Sequence, residues 1–144
     1  MKLHDAVTDL RPCAWRQRLD ALFAARMSAP FAWGTHDCCL FAADAVLAQT
    51  GGDPAAEFRG MYVDARGALE LLAELGGLTA VAGRAGDPVP ALCAQVGDIG
   101  LVEHESRELL AVCAGPVWLV PAEQGLAALP IDAATAAWRV TKCP

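Results

Sequence analysis

FAWGTHDCCLFAADAV, residues Phe31 to Val46, sets a Trp-Gly turn, a His, an Asp and two adjacent cysteines directly ahead of a strongly apolar run. Asp is a favoured N-cap because its carboxylate accepts the otherwise unpaired amides of a first helical turn. Asp37 is therefore read as the cap of a helix over Cys38 to Gln49. Leu40, Phe41, Val46, Leu47 and the alanines make that helix apolar on most sides, which marks an element buried in a core. Thr50-Gly51-Gly52 ends it through a glycine cap. Cys38 then occupies the first turn, where free amides and the helix dipole favour a thiolate. Cys39 follows about 100° around the helix, so only one of the two sulfurs faces a given cleft. The plain alternative is that both are small buried residues.

Upstream, Pro12 suits a first helical turn. Trp15, Leu19, Leu22, Phe23 and Arg26 follow at helical spacing, which gives an amphipathic helix from about 12 to 27. Ser28-Ala29-Pro30 stops it. Downstream, Asp53-Pro54 reads as a cap and first-turn proline opening a short helix through Phe58. Asp64 caps a further helix through Leu75, closed by Gly76-Gly77. A short helical piece over Leu78 to Ala82 follows, and Gly86 to Pro90 reads as a loop. After Gly97-Asp98 the character changes. Ile99 to Val102, Leu109 to Cys113 and Val117 to Val120 are short β-prone runs with polar or Gly/Pro breaks between them, the pattern of a small antiparallel meander. Ala133 to Ala137 reads as one helical turn and Trp138 to Val140 as a last strand. Helices first and strands second predict an α+β domain with helices on one face of a sheet, a single domain over residues 1–144.

The chain has 144 residues, 55% hydrophobic and 19% charged, a globular composition of one-domain size. A net charge of −6 and 11 scattered basic residues weigh against a nucleic-acid partner. No apolar run approaches the roughly 18 residues of a bilayer span, and Met1 to Leu10 lacks an apolar signal core, so neither membrane insertion nor a signal peptide is expected. The six cysteines stand at 13, 38, 39, 93, 113 and 143 with no CxxC and no Cys/His zinc spacing, so free thiols are expected and no metal or cofactor.

A nucleophilic Cys38 needs a base. The candidates are His36, two residues before it, and His104, which closes the first predicted strand; His4 lies near the start of the chain.

The Trp-Gly turn of Trp33-Gly34, the Asp37-Cys38 helix start and Gly97-Asp98 before a small sheet together resemble the NlpC-like cysteine peptidases. FAWGTHDCCLFAADAV, with DPAAEFRGMY after it and AWRV near the end, resembles more narrowly a family of small phage and prophage tail proteins related to that group. The resemblance implies a papain-like fold with Cys38 as nucleophile and Trp33, Gly34, Asp37 and Asp98 as cleft or structural residues. It implies cleavage of peptide or amide bonds in the bacterial cell wall, other tail-tip proteins as partners, and a place in the virion, assembled in the host cytoplasm. The sequence departs from the pattern where it matters. In Leu109 to Gly115 the position of the NlpC catalytic histidine holds a leucine, and Val117 to Pro121 offers no polar third member. His104 or His36 would have to substitute. The other outcome is a structural tail-tip part that keeps the fold without the chemistry.

Overall fold

The computed structural model describes residues 9–143. Among the described residues, four helices precede most of a six-stranded antiparallel sheet, an α+β architecture as the sequence indicates. The helices are α1 (Trp15–Arg26), α2 (Cys38–Thr50), α3 (Ala65–Leu75) and α4 (Leu78–Ala82). The strands are β1 (Asp87–Val89), β2 (Ile99–His104), β3 (Arg107–Cys113), β4 (Val117–Pro121), β5 (Leu126–Pro130) and β6 (Ala134–Arg139), in the spatial order β1-β6-β2-β3-β4-β5. None of the described helices is long and apolar enough to cross a membrane.

Side chains alternate across the sheet and build two cores. On one face Ile99, Leu101, Leu110, Val112 and Trp138 pack against Leu19 of α1 and Phe41, Ala42, Ala45 and Val46 of α2. On the other, Val102, Ala111, Cys113, Trp118, Val120 and Ala137 form a second cluster. Two 3₁₀ turns, Ala91–Cys93 and Ile131–Ala133, accompany it, and the Trp118 indole N–H donates to the Ile131 carbonyl at 3.0 Å. The helix α2 is buried on a further side, where Leu40 and Ala43 meet Ala55, Phe58 and Tyr62.

Both ends of α2 are fixed by side chains. Asp37 caps the start, and at the finish Gln49, fully buried, donates to the carbonyls of Ala45 and Gly97 and accepts from Arg11. The second bond ties the helix to the turn that delivers β2. A side chain on Gly97 would occupy the space of the Gln49 amide, and its φ of +93° favours glycine there.

Three readings are corrected. Gly86 to Pro90 is not a loop: Asp87–Val89 pairs with β6, and Pro88 is accommodated because β1 is an edge strand. Ala133 to Ala137 is not a helical turn: Ala134–Arg139 lies between β1 and β2, where cross-strand pairing overrides the helical propensity of alanine. Asp53 to Phe58 forms successive turns rather than a helix: the Ala56 and Phe58 amides donate three residues back, to the Asp53 and Ala55 carbonyls. Leu126–Pro130, not expected as a strand, pairs with β4.

A methyl group at Gly100 would lie 2.5 Å from the indole of Trp118, in the middle of the second core. Gly100→Ala is expected to lower stability by about 1–3 kcal/mol through overpacking, read as a lower urea midpoint with an unchanged m-value.

Candidate active site

The turn ahead of α2 is organised by one carboxylate. Asp37 Oδ1 accepts the Leu40 amide at 3.0 Å. Its Oδ2 accepts the Gly34 amide at 2.9 Å and the Tyr62 hydroxyl at 2.6 Å. Gly34 has φ +84°, and a β-carbon there would collide with the Tyr62 carbonyl, so this position requires glycine twice over. The loop therefore folds tightly, Trp33 and Tyr62 are brought to the helix start, and Cys38 becomes the first residue of α2.

Cys38 and Cys39 both line a groove of about 470 Å³. Ala42, Ala43 and Val46 of α2 continue that wall. Ala68, Leu72 and Leu75 of α3 with Leu78 and Val81 of α4 form the facing one. Arg107 to Leu110 of β3 close one side, and Trp33, Phe58 and Tyr62 close an end. Both cysteines are half-buried free thiols. The adjacent Cys39 thiol, assisted by the backbone of Leu110, holds the Cys38 thiol below its ordinary range against the opposing effect of burial. The same proximity, with burial, keeps Cys39 protonated. Of the two thiols, Cys38 is thus the one that ionises more readily, at the positive end of the α2 dipole. Burial and the Asp37 bond push the Tyr62 hydroxyl far above its usual value, so it remains a donor.

The structure brings Trp33, Gly34, Asp37 and Cys38 together and leaves the other expected residues elsewhere. His36 follows the Trp-Gly turn, but its ring does not line the groove. It lies edge-on to Phe41, and its Nδ1 accepts from Arg26 at 2.9 Å. A guanidinium only donates, so the proton of the neutral ring is on Nε2, which is buried without a partner. Burial, then the Arg26 charge, hold its pKa below 6.5. Arg26 also pairs with Asp44, and Asp44 with Arg59, so the ring ends a charged chain along α2. His104 does not line the groove either. Alternation along β2 puts it with Val102, on the sheet face away from α2, and its Nε2 stands 3.7 Å from Glu105. Neither histidine fills the place of a base for Cys38. The β3 residues that line the groove are Arg107, Glu108, Leu109 and Leu110. Asp98 is buried away from the groove, accepting from the Gln95 amide and the Arg139 guanidinium, and fastens the turn before β2 to β6.

Sequence reasoning missed Tyr62, which completes the bonding of Asp37, and Leu110, whose backbone meets the Cys38 sulfur. Tyr62 is the chain's single tyrosine and closes the quoted block DPAAEFRGMY. A hydroxyl 25 residues from its carboxylate leaves no spacing signal.

A buried helix opening with an Asp-capped cysteine against an antiparallel sheet is a papain-like arrangement. The structure is similar to the crystal structure of the NlpC/p60 domain of peptidoglycan hydrolase SagA, with a TM-score of 0.56 and 17% identity over 86% of this chain and 97% of that one. The fold is thus of the NlpC/p60 kind. A family model described as "Domain of unknown function (DUF6950)" matches residues 11–140, and the chain belongs to that family. No curated protein matches it.

Two outcomes follow for the turn. Asp37→Ala removes the cap and leaves the Tyr62 hydroxyl and Gly34 amide unpaired, an expected loss of about 2–4 kcal/mol by urea denaturation. Tyr62→Phe keeps the cap and should cost about 1 kcal/mol. For His36 the folded pKa lies below the unfolded one, so the unfolded chain binds the extra proton between them. Stability should therefore be complete above about pH 6.5 and fall as the pH drops below it, whereas His36→Gln should remove this part of the pH dependence, read as urea midpoints at pH 7.5 and 5.5.

Proposed function

We propose that the protein is a structural component of a phage tail tip that keeps the papain-like fold without its hydrolytic chemistry. The tail assignment rests on the sequence resemblance of the Phe31–Val46 block and its flanking motifs. The loss of chemistry rests on one observation: β3 lines the groove with Arg107, Glu108, Leu109 and Leu110, and neither His36 nor His104 lines it. Amide cleavage by a thiol needs a group that takes the thiol proton and returns it to the leaving amine. Such a group contributes roughly 10²–10⁴ in rate. A thiol stabilised at a helix start is a nucleophile, but it does not protonate an amine. Other tail-tip proteins are the partners under this reading, and its site of action is the virion.

The test has two arms. Purified protein is incubated with peptidoglycan and with soluble muropeptides, and products are separated by chromatography; no Cys38-dependent release is expected. In a phage carrying the gene, deletion should abolish complete tails under the electron microscope, while Cys38→Ser should give tails and plaques at normal yield. Muropeptide cleavage that disappears in Cys38→Ser would overturn the reading, as would normal tails in the deletion.

A further inference from the structure

Two adjacent cysteines at a helix start are expected to diverge, because successive side chains are rotated by about 100°. The structure instead has both on the wall of one groove. Cys38 and Cys39 are half-buried free thiols, and the other four cysteines do not line it. A papain-like arrangement uses the first sulfur alone, so the second thiol is left without a part in it.

Two thiols one residue apart act together either directly or through an atom between them. A direct disulfide strains the intervening peptide: bridged cysteines have α-carbons about 4.4–6.8 Å apart, and neighbours in a chain about 3.8 Å. An atom held between the sulfurs enlarges the ring and lets them stay apart. It has to be a soft acceptor, which is what thiolates bind. Nothing else at the groove is placed to complete a coordination shell. Asp37 Oδ2 is engaged by Gly34 and Tyr62, and no described histidine lines the groove. Two sulfurs and no third donor do not suit tetrahedral zinc. The acceptor must therefore bring its own third substituent. The groove, about 470 Å³, continues from the cysteines along Ala42, Val46, Leu72 and Leu75, so that substituent is a hydrocarbon or aryl group.

We propose that Cys38 and Cys39 form a two-thiol chelating site for a trivalent organoarsenic compound, an arsenic atom carrying two hydroxyls and one organic group, with the organic group lying in the groove between α2 and α3. Each sulfur displaces one hydroxyl. Two arsenic–oxygen bonds break, two arsenic–sulfur bonds form, and the two thiol protons leave with the hydroxyls as two water molecules. Arsenic stays trivalent, so neither oxidant nor reductant takes part. Cys38, the more readily ionised thiol, attacks first, and Cys39 closes the ring. The chelate resists monothiols, because the second sulfur recaptures the arsenic whenever one bond opens; a competing dithiol removes that advantage. The site uses both sulfurs and no base, so it does not depend on whether the groove hydrolyses anything.

The full chain, reduced and then freed of reductant, is incubated with phenylarsine oxide, which hydrates to the dihydroxy form. It is washed with excess glutathione and followed by intact mass and non-reducing peptide mapping. The expected result is one phenylarsenic group per chain, on the peptide holding Cys38 and Cys39, stable to glutathione and released by dimercaptopropanol. Adducts on the exposed Cys13, Cys93 and Cys143 should wash away. Cys38→Ser and Cys39→Ser should each lower retention at least about tenfold, since one arm of the chelate is gone. Arsenite, which has no organic group, should be held at least about tenfold more weakly. Mapping on the unaltered chain decides the site even if a variant folds poorly. An adduct retained on other cysteines, full retention in Cys39→Ser, arsenite held as tightly as phenylarsine oxide, or no adduct after the wash overturns the proposal. Muropeptide cleavage that depends on Cys38 sinks the non-hydrolytic reading and leaves this one standing.

Discussion

The Asp37 carboxylate is the constraint on which the site depends. Its two oxygens take three donors from three places in the chain: the Leu40 amide of α2, the Gly34 amide of the preceding turn and the Tyr62 hydroxyl of the following segment. A carboxylate that is only 2% exposed must have its lone pairs filled, and here filling them fixes where the helix begins, how the turn bends and where one wall of the groove stands. Cys38 is the first residue of α2 because Asp37 is its cap. The glycine at position 34 has the same origin, since the Tyr62 backbone approaches too closely for a β-carbon.

From that fixed start, α2 carries the rest of the fold. Its apolar residues face the sheet on one side and the Ala55–Tyr62 segment on another, and Asp44 holds the charged chain of Arg26, Arg59 and Asp53. The Gln49 amide ties its far end to the turn entering β2. The interactions are of different kinds, but each relates α2 to an element distant in sequence. This lets a 13-residue helix set the position of its first sulfur against β3.

What was legible in the sequence follows from how local the signal is. The Asp37 and Asp64 caps, the glycine stops at 51 and 76, and the apolar runs of β2, β3 and β4 are written in adjacent residues, and the structure has them. The missed strands are those whose identity comes from a partner. Asp87-Pro88-Val89 has no strand pattern of its own and becomes β1 only by pairing with β6; Ala134–Arg139 looks helical until β1 and β2 flank it. The hairpin joining β2 to β3 turns through Glu105 and Ser106, both at positive φ, where glycine or asparagine is the usual signal. At the site, the cap and the thiol could be read, because both act within one helical turn. The histidines could not be placed, because the face a ring presents depends on strand alternation for His104 and on the reach of Arg26 for His36. That a leucine stands where the resemblance sets the family's histidine was legible only through that resemblance.

That leucine is better understood with its surroundings than as a single loss. An imidazole beside Cys38 would need a partner for its second nitrogen and a polar path for its proton. The groove offers mainly leucine and alanine walls with Arg84, Arg107 and Glu108 among them, an Asp37 whose lone pairs are engaged, and a Tyr62 committed to Asp37. Restoring a histidine on β3 alone would place a polar ring in an apolar wall, where burial opposes its protonated form, as burial already does for His36. What remains is a sulfur whose charge is favoured by a neighbouring thiol and by a helix start, facing a space that prefers hydrocarbon.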